Sequence, residues 1–171
     1  MKASGVFEIL RGLKTTFVSM FEKPVTYQYP EVKRPVHPRF KGRHYLTRYD
    51  NGLEKCIGCS LCAAACPADA IFVEASENTD DERYSPGERY ASTYEINLLR
   101  CIFCGYCEDA CPTEAIVLGD NYELSFHDRA NAIYTKARLL MPVKEGGAPT
   151  PQVTEPGLFT RSIPMMVDPA D

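Results

Sequence analysis

The eight cysteines of this chain fall into two short segments with the same spacing. In each segment cysteines stand at positions i, i+3, i+6 and i+10, and a proline follows the last one. The segments run over residues 56–67 and 101–112. Because no cysteine is left for cross-links elsewhere, the pattern indicates two metal-binding or redox sites rather than a disulfide scaffold.

This spacing is typical of thiolates that bind a cubane iron–sulfur cluster, which takes one cysteine per iron. A loop with cysteines at i, i+3 and i+6 can wrap three corners of one cube. In two-cluster ferredoxins the fourth cysteine binds the other cluster. The sequence therefore predicts two 4Fe-4S clusters, with Cys56, Cys59, Cys62 and Cys111 binding the first and Cys101, Cys104, Cys107 and Cys66 binding the second.

Two other uses of the thiols, zinc binding and disulfide formation, fit the sequence less well. Structural zinc sites pair C-x2-C units that lie a dozen or more residues apart, and a third cysteine at the same short step in both loops does not suit them. Disulfides would require an oxidising compartment, which nothing else in the sequence indicates. Visible absorbance and brown colour would distinguish an iron–sulfur protein from a zinc module.

The residues around the loops suit a cluster environment. Small residues that would let the backbone approach a cluster stand at Gly58, Ala63, Ala64 and Gly105. Apolar residues expected to exclude water are Ile57, Ile71, Ile102 and Ile116.

No catalytic residue is predicted. The sequence has no G-x-G-x-x-G motif after a strand and no Walker loop, and no cysteine is left beside a histidine to act as a nucleophile. His37, His44 and His127 lie outside the cysteine loops and are expected to be surface or packing residues. The isolated chain is therefore expected to carry electrons without a site for NADH or quinone.

The cysteine segments belong to a longer internal repeat. Residues 56–71 and 101–116 share 9 identities in 16 positions at an offset of 45, and Tyr49 aligns with Tyr94. Each half predicts a strand, a cysteine loop, a short helix after the fourth cysteine and a second strand. The expected fold is α+β, a two-cluster ferredoxin-like core of two pseudo-symmetric halves over residues 44–119, with a polar loop at 75–91 between them.

Four further segments flank this core. Apolar residues at helical spacing predict an amphipathic helix within residues 1–23, and a proline-rich basic segment predicts an extended arm at 24–43. A helix capped by Asp128 is expected within 120–143. Residues 144–171 predict an extended proline-rich tail, either with apolar strips that dock on partners or disordered.

The charge distribution and the hydropathy of the sequence limit the classes of partner that the chain is expected to bind. Residues 23–48 carry seven basic residues against one acidic residue, whereas residues 74–95 carry seven acidic against two basic. The basic arm contains five prolines or histidines and no nucleic-acid-binding motif, so a solvated or subunit-facing arm is favoured over nucleic-acid binding. The sequence contains no run of about eighteen apolar residues, so no membrane span is predicted. Glu8, Arg11 and Lys14 interrupt the apolar pattern of the first twenty residues, so a secretory signal is not expected.

Residues 42–59, together with 101–108, resemble subunit I of the proton-pumping NADH-quinone oxidoreductase, respiratory complex I. The resemblance covers about residues 5–141 and includes all eight cysteines. It implies a subunit of the translocase's peripheral arm whose two 4Fe-4S clusters relay electrons from the NADH-oxidising module towards the terminal cluster and quinone. The implied partners are the upstream iron–sulfur subunit, the subunit with the terminal cluster, and the quinone-site and membrane-arm subunits.

The resemblance also implies a location, on the cytoplasmic face of a bacterial membrane, and the N-terminal helix is expected to bind the membrane surface rather than a partner groove. The chain begins without a transit-type extension, which suits a bacterial protein. A competing hypothesis is a free ferredoxin that shuttles between enzymes. Such a shuttle would need only the central repeat, so the helix, the arm and the tail favour a fixed subunit.

Overall fold

The computed structural model describes residues 4–143, and the expected docking tail at 144–171 lies outside them. The chain divides into two units, the first ending at His37 and the second beginning at Pro38. The second unit contains both cysteine loops.

The first unit contains one long helix, α1 (Ser4–Ser19). Its apolar residues recur at helical spacing, as the sequence predicts, but their side chains are exposed: Phe7 is 70% exposed and Phe17 is 60% exposed. The ring of Phe17 makes an edge contact with Phe21 beyond the end of the helix. Among residues 4–143, no helix has both the length and the apolar composition needed to cross a bilayer.

The basic arm after α1 contains neither helix nor strand, as expected for a proline-rich segment. Its last residues belong to the second unit. The Gly42 N–H donates to the Gly119 carbonyl at 2.9 Å, and the Arg43 N–H donates to the Asn121 carbonyl at 2.8 Å. These bonds prolong the pairing between the strands that follow Arg43 and precede Gly119.

The two halves of the repeat are interlocked through their strands. Strand β1 (His44–Leu46) of the first half pairs antiparallel with β4 (Ile116–Leu118) of the second half. Strand β2 (Ile71–Glu77) of the first half pairs antiparallel with β3 (Arg89–Asn97) of the second half. Each half therefore completes its sheets with strands from the other.

Strand β3 is the centre of the second unit. It lies between β2 and β5 (Ile133–Thr135), and its residues from Tyr90 to Asn97 are buried. Tyr94 and Ile96 are almost fully buried. Burying a side chain of this size contributes about 1.5–3 kcal/mol, so these two residues of β3 contribute substantially to the stability of the second unit.

The predicted helices after the fourth cysteines are wrong. The short helices α2 (Leu61–Ala64) and α3 (Tyr106–Asp109) each precede the fourth cysteine of their half and contain the third. The residue before a proline is disfavoured in helical conformation, so each helix ends before Cys66-Pro67 or Cys111-Pro112. The fourth cysteine is held in the turn that follows its helix.

The predicted helix within 120–143 is also wrong. That segment forms a 3-10 turn (Ala130–Ala132), the strand β5, and a short helix α4 (Lys136–Leu139). The segment before β5 also satisfies a buried backbone group, because the Leu98 N–H donates to the Ala132 carbonyl at 2.9 Å. Ile133 and Tyr134 have side chains that favour strands, and pairing with β3 outweighs the helical spacing of the apolar residues.

The expected polar loop between the halves is shorter than predicted. Strands β2 and β3 form a hairpin and extend into both ends of the expected loop, so that only residues 78–88 connect them. The Asn78 amide organises this loop by donating to the Ser85 hydroxyl at 2.9 Å and to the Gly87 carbonyl at 2.7 Å. Tyr84 in the loop stacks on Tyr90, with ring centroids 4.0 Å apart.

Candidate metal centres

One cavity brings thiols from both halves together. Its lining includes Cys56, Cys59 and Cys62 from the first cysteine loop and Cys111 from the second. The rest of the wall is mostly apolar and includes Leu46, Ile57, Val73, Tyr94, Ala115 and Ile116. The fourth cysteine of the second half thus lies with the first three of the first half.

Cys66 affects the pKa of Cys101 in the second loop. Burial raises the pKa of Cys101, and the nearby thiols of Cys66 and Cys104 raise it further. Burial also raises the pKa of Cys107 to about 12, with Cys101 and Cys104 contributing. The Cys66 thiol therefore lies close enough to Cys101 to affect its pKa.

The two thiol groups are neighbours. The thiol of Cys62, in the first group, contributes to the raised pKa of Cys107 in the second. The helices that carry these two residues, α2 and α3, pack against each other. Both thiols are buried. The two groups are therefore closest to each other in the interior of the second unit, around Cys62 and Cys107.

The four thiols that line the cavity are a donor set suited to metal ions. Burial raises the pKa of Cys56 to about 12, opposed by the Gly58 N–H and reinforced by Cys62 and Cys111. Thiols of this kind stay protonated at neutral pH unless metal ions replace the protons. Four thiols that surround one cavity can each bind a different iron, so the residues present fit an iron–sulfur cluster. Within residues 4–143, no three His, Cys, Asp or Glu side chains converge closely enough to hold a single ion.

Backbone N–H groups point at the thiol sulfurs at equivalent positions of the repeat. The Ala70 N–H donates to Cys66 Sγ at 3.4 Å, and the Ala115 N–H donates to Cys111 Sγ at 3.2 Å. Burial acts to raise the pKa of Cys111, but the N–H groups of Ile116 and Ala115 and the Thr113 side chain outweigh it, so that pKa is lowered. Such donors stabilise negative charge on sulfur.

Both loops use the same strained backbone with different residues. Gly58 and its repeat equivalent Phe103 have φ values of 66° and 54°, and Ser60 and Gly105 have values of 61° and 85°. A third pair, Asp69 and Glu114, has φ values of 46° and 50°. A left-handed conformation costs a non-glycine residue about 1–2 kcal/mol. The sequence singled out the glycines but not Ser60 or Phe103, where the shared repeat position was the available signal.

The approach of the backbone to a cluster at the small residues stays a prediction, but Gly58 has a different close contact. A Cβ built there would lie 2.8 Å from the Ala75 Cβ and 2.9 Å from the Tyr90 carbonyl oxygen. The β2–β3 hairpin therefore packs directly on the first loop. At Gly105 a Cβ would meet only the Lys41 side chain, 3.0 Å away.

Three side chains that the sequence did not predict as site residues contact the thiols. The Tyr94 hydroxyl lies 3.2 Å from Cys62 Sγ, and the Thr113 hydroxyl lies 3.6 Å from Cys111 Sγ. Burial raises the pKa of Tyr94 well above its ordinary value, so its hydroxyl keeps its proton. His44, expected as a surface or packing residue, is 1% exposed, and its Nε2 lies 3.8 Å from Cys101 Sγ. Burial lowers the pKa of His44 to about 4, so the ring is neutral near pH 7.

Three of the four isoleucines expected to exclude water lie in the second unit's interior or at its margin. Ile71 and Ile116 are buried, and Ile57 is half-buried. The prediction is wrong for Ile102, which is 65% exposed. The hairpin loop passes over Ile57, where a Cβ on Gly87 would lie 3.5 Å from the Ile57 side chain, whereas Ile102 has no such cover from the described residues.

The end of the basic arm contacts the second loop. Lys41 forms a salt bridge with Glu108 in α3, and that hydrogen bond raises the pKa of Lys41. The aliphatic part of Lys41 lies over Gly105. The arm is therefore part of the surroundings of the second thiol group.

Comparison with known proteins agrees with this chemistry. Residues 55–119 match the family described as "4Fe-4S dicluster domain". The match includes both cysteine loops, so this part of the chain is a 4Fe-4S dicluster domain with an electron-transfer role.

A solved structure is also similar to this chain, described as "Structure of the membrane-bound sulfane sulfur reductase (MBS), an archaeal respiratory membrane complex". The identity is 33% over 65% of this chain, with a TM-score of 0.43. This chain spans about half of that protein's length, covering 52% of it.

Proposed function

We propose that this chain is the electron-relay subunit of a proton-pumping NADH-quinone oxidoreductase. It would pass single electrons through two 4Fe-4S clusters from the NADH-oxidising module towards the terminal cluster and quinone. The observation that carries the relay is the cavity lined by Cys56, Cys59, Cys62 and Cys111. The choice of this enzyme rests on the resemblance of residues 42–59 and 101–108 to its subunit I.

The proposed ligand sets follow the two thiol groups. The first is Cys56, Cys59, Cys62 and Cys111, and the second is Cys101, Cys104, Cys107 and Cys66. When bound, each cluster supplies a centre that gains or loses one electron at a time. The N–H groups of Ala70, Ala115 and Phe103 donate to the thiolate sulfurs and stabilise their charge. The packing of α2 against α3 keeps the two groups adjacent, which a relay requires.

The proposed attachment to a membrane complex draws on α1. Its exposed apolar side chains form a stripe that includes Val6, Leu10, Leu13 and Phe17, and Phe21 follows just beyond the end of the helix. A contiguous apolar stripe on a helix is typical of a segment that lies in a membrane interface or a partner groove. The proposal places it at the cytoplasmic surface of the membrane, beside the quinone-site and membrane-arm subunits.

A free shuttle and a fixed subunit would differ in how stably they associate with their partners. A shuttle forms transient complexes, whereas a fixed subunit is recovered with its neighbours after mild purification. Affinity purification of the tagged full-length chain from its native membrane, followed by mass spectrometry, should recover an NADH-oxidising module and membrane subunits in constant ratio. Recovery of the chain alone from the soluble fraction would overturn the proposal of a fixed subunit.

The crossed ligand sets have a separate test in the purified chain with its clusters. Cys66→Ser should perturb mainly the EPR signal of the cluster held by the second loop, and Cys111→Ser that of the cluster held by the first. Cys59→Ser and Cys104→Ser assign the signals to the loops. If Cys66→Ser and Cys59→Ser affect the same signal, the crossed arrangement is wrong.

In the assembled enzyme, loss of either cluster should stop quinone reduction by NADH, because the electron path is interrupted. Oxidation of NADH by an artificial acceptor upstream should survive. A Cys59→Ser complex that contains the normal amount of this subunit, lacks the cluster and still reduces quinone at the full rate would contradict the relay.

A further inference from the structure

The two thiol groups differ in the hydroxyl groups that surround them. Tyr94 is 1% exposed, and its hydroxyl lies 3.2 Å from Cys62 Sγ. Its repeat equivalent, Tyr49, is 39% exposed, and the ammonium of Lys55 lies 5.7 Å from the centre of its ring. The same residue type thus reaches a thiol in one half and faces the surface in the other.

A second hydroxyl shows the same asymmetry. The Thr113 hydroxyl lies 3.6 Å from Cys111 Sγ. The equivalent residue beside Cys66 is Ala68, which has no hydroxyl. Both Cys62 and Cys111 line the first cavity, so both hydroxyl contacts belong to one thiol group.

The direction of these hydrogen bonds follows from the chemistry of a bound thiolate. A thiolate bound to iron has no proton, so it can only accept, and the Tyr94 and Thr113 hydroxyls must donate. When an external reductant adds one electron to a cluster, the added negative charge is shared with the thiolate sulfurs. A donated hydrogen bond stabilises that reduced state more than the oxidised state, which raises the reduction potential.

We propose that Tyr94 and Thr113 tune the cluster held by Cys56, Cys59, Cys62 and Cys111, raising its reduction potential through two side-chain hydrogen bonds absent from the other half. The inference rests on the proposed ligand sets but not on the identity of the enzyme complex. Tyr94 is well placed for this role because it lies in β3 opposite Val73 of β2, almost fully buried, while its hydroxyl reaches the thiol.

Other polar groups near the thiols leave this inference unchanged. His44 contacts Cys101, which belongs to the second group. Glu54 raises the pKa of Cys56, and its carboxylate forms an ion pair with Lys136. Both stay in place when only Tyr94 or Thr113 is replaced, so a shift between variants reports the hydroxyl groups.

The test is an anaerobic redox titration of the purified full-length chain with its clusters, followed by EPR. Tyr94→Phe and Thr113→Ala should each lower the midpoint potential of one signal, the signal that Cys111→Ser perturbs, and leave the other signal unchanged. Tyr49→Phe is the matched control and should shift neither. Ala68→Thr transfers the hydroxyl to the other half and should raise the potential of the other signal.

A second readout detects the hydrogen bonds themselves. Electron–nuclear double resonance after exchange into D2O should show exchangeable protons coupled to the reduced first cluster, and Tyr94→Phe should remove one of them. If Tyr94→Phe prevents cluster assembly, Thr113→Ala and Ala68→Thr still decide the outcome.

Two results would overturn the tuning role. In one, the potentials of the Tyr94→Phe and Thr113→Ala variants equal those of the unmodified chain. In the other, both signals shift together, as a general loosening of the fold would cause. The ligand sets fail separately, if Cys111→Ser and Cys59→Ser perturb different signals.

Discussion

Replacing Lys136 by Met should destabilise the second unit strongly, because it removes a buried ammonium that pairs with a buried carboxylate. Lys136 Nζ lies 2.8 Å from Glu54 Oε2 and donates to the Ala91 carbonyl at 2.7 Å. The two charged side chains are 6% and 1% exposed. The pair joins α4 to the segment that precedes the first cysteine loop.

The magnitude follows from this burial. Removing one partner of a buried ion pair costs about 3–5 kcal/mol, whereas an exposed pair contributes about 0–1 kcal/mol. Methionine keeps most of the packing of the lysine stem, so the loss reports the charge. The Lys136 ammonium also lies 5.2 Å from the Tyr90 ring centre, and losing that cation–π contact adds to the cost.

The assay is urea unfolding of the anaerobic chain with its clusters, followed by circular dichroism and by the visible absorbance of the clusters. With a denaturant slope of about 2 kcal/mol per molar urea, the midpoint should fall by roughly 1.5–2.5 M. Lys23→Met, at an exposed position, is the control and should change stability by less than about 0.5 kcal/mol.

A double variant separates charge from packing. Glu54→Leu introduces the residue found at the equivalent repeat position, Leu99. Combined with Lys136→Met it removes both charges, and replacing a buried pair by apolar residues is often close to neutral. The double variant should therefore be more stable than Lys136→Met alone. A loss of less than about 1 kcal/mol in Lys136→Met would refute the reasoning, because water would then be screening the pair.

Three further predictions concern the metal centres and the helix. Metal analysis of the purified chain should find about eight irons and eight acid-labile sulfides, as two four-iron clusters require; stoichiometric zinc would contradict this. Gly58→Ala should reduce cluster content far more than Gly105→Ala: both positions have positive φ, but a new Cβ meets backbone only at Gly58, and equal losses in iron content would show that steric contact is unimportant. Deleting residues 1–21 should leave the clusters assembled while releasing the subunit from washed membranes, because the exposed apolar stripe of α1 is removed; full retention in the membrane pellet would argue against anchoring by this helix.

The sequence predicted those features that depend on residues close together in the chain. The spacing of apolar residues predicted a helix where α1 is found, and the offset of the repeat predicted the strands that flank each cysteine loop. Both patterns are local, so no knowledge of the tertiary fold was needed.

Several of the features that the sequence missed depend on pairing between residues far apart in the chain. Residues 133–135 form β5 because β3 offers an edge, and nothing in their own spacing indicates that partner. Tyr49 and Tyr94 occupy equivalent positions, yet only Tyr94 lies on a strand covered on both sides. Its contact with Cys62 therefore could not be predicted from the repeat. The positive φ at Phe103 was missed because phenylalanine rarely adopts it, although the glycine at the equivalent repeat position was an available signal.

The interlocked strands also set an order of events during synthesis on the ribosome. As the chain emerges from its N-terminus, β1 has no partner until β4 has been made, and the cavity beside Cys56 lacks Cys111 until almost the same moment. Until the end of the second half has been made, the first half can neither pair β1 nor complete the cavity around its thiols. A nascent chain that stalls before Cys111 would have neither the strand nor the closed cavity, so under the proposed ligand sets the first cluster would be completed only after both halves are translated.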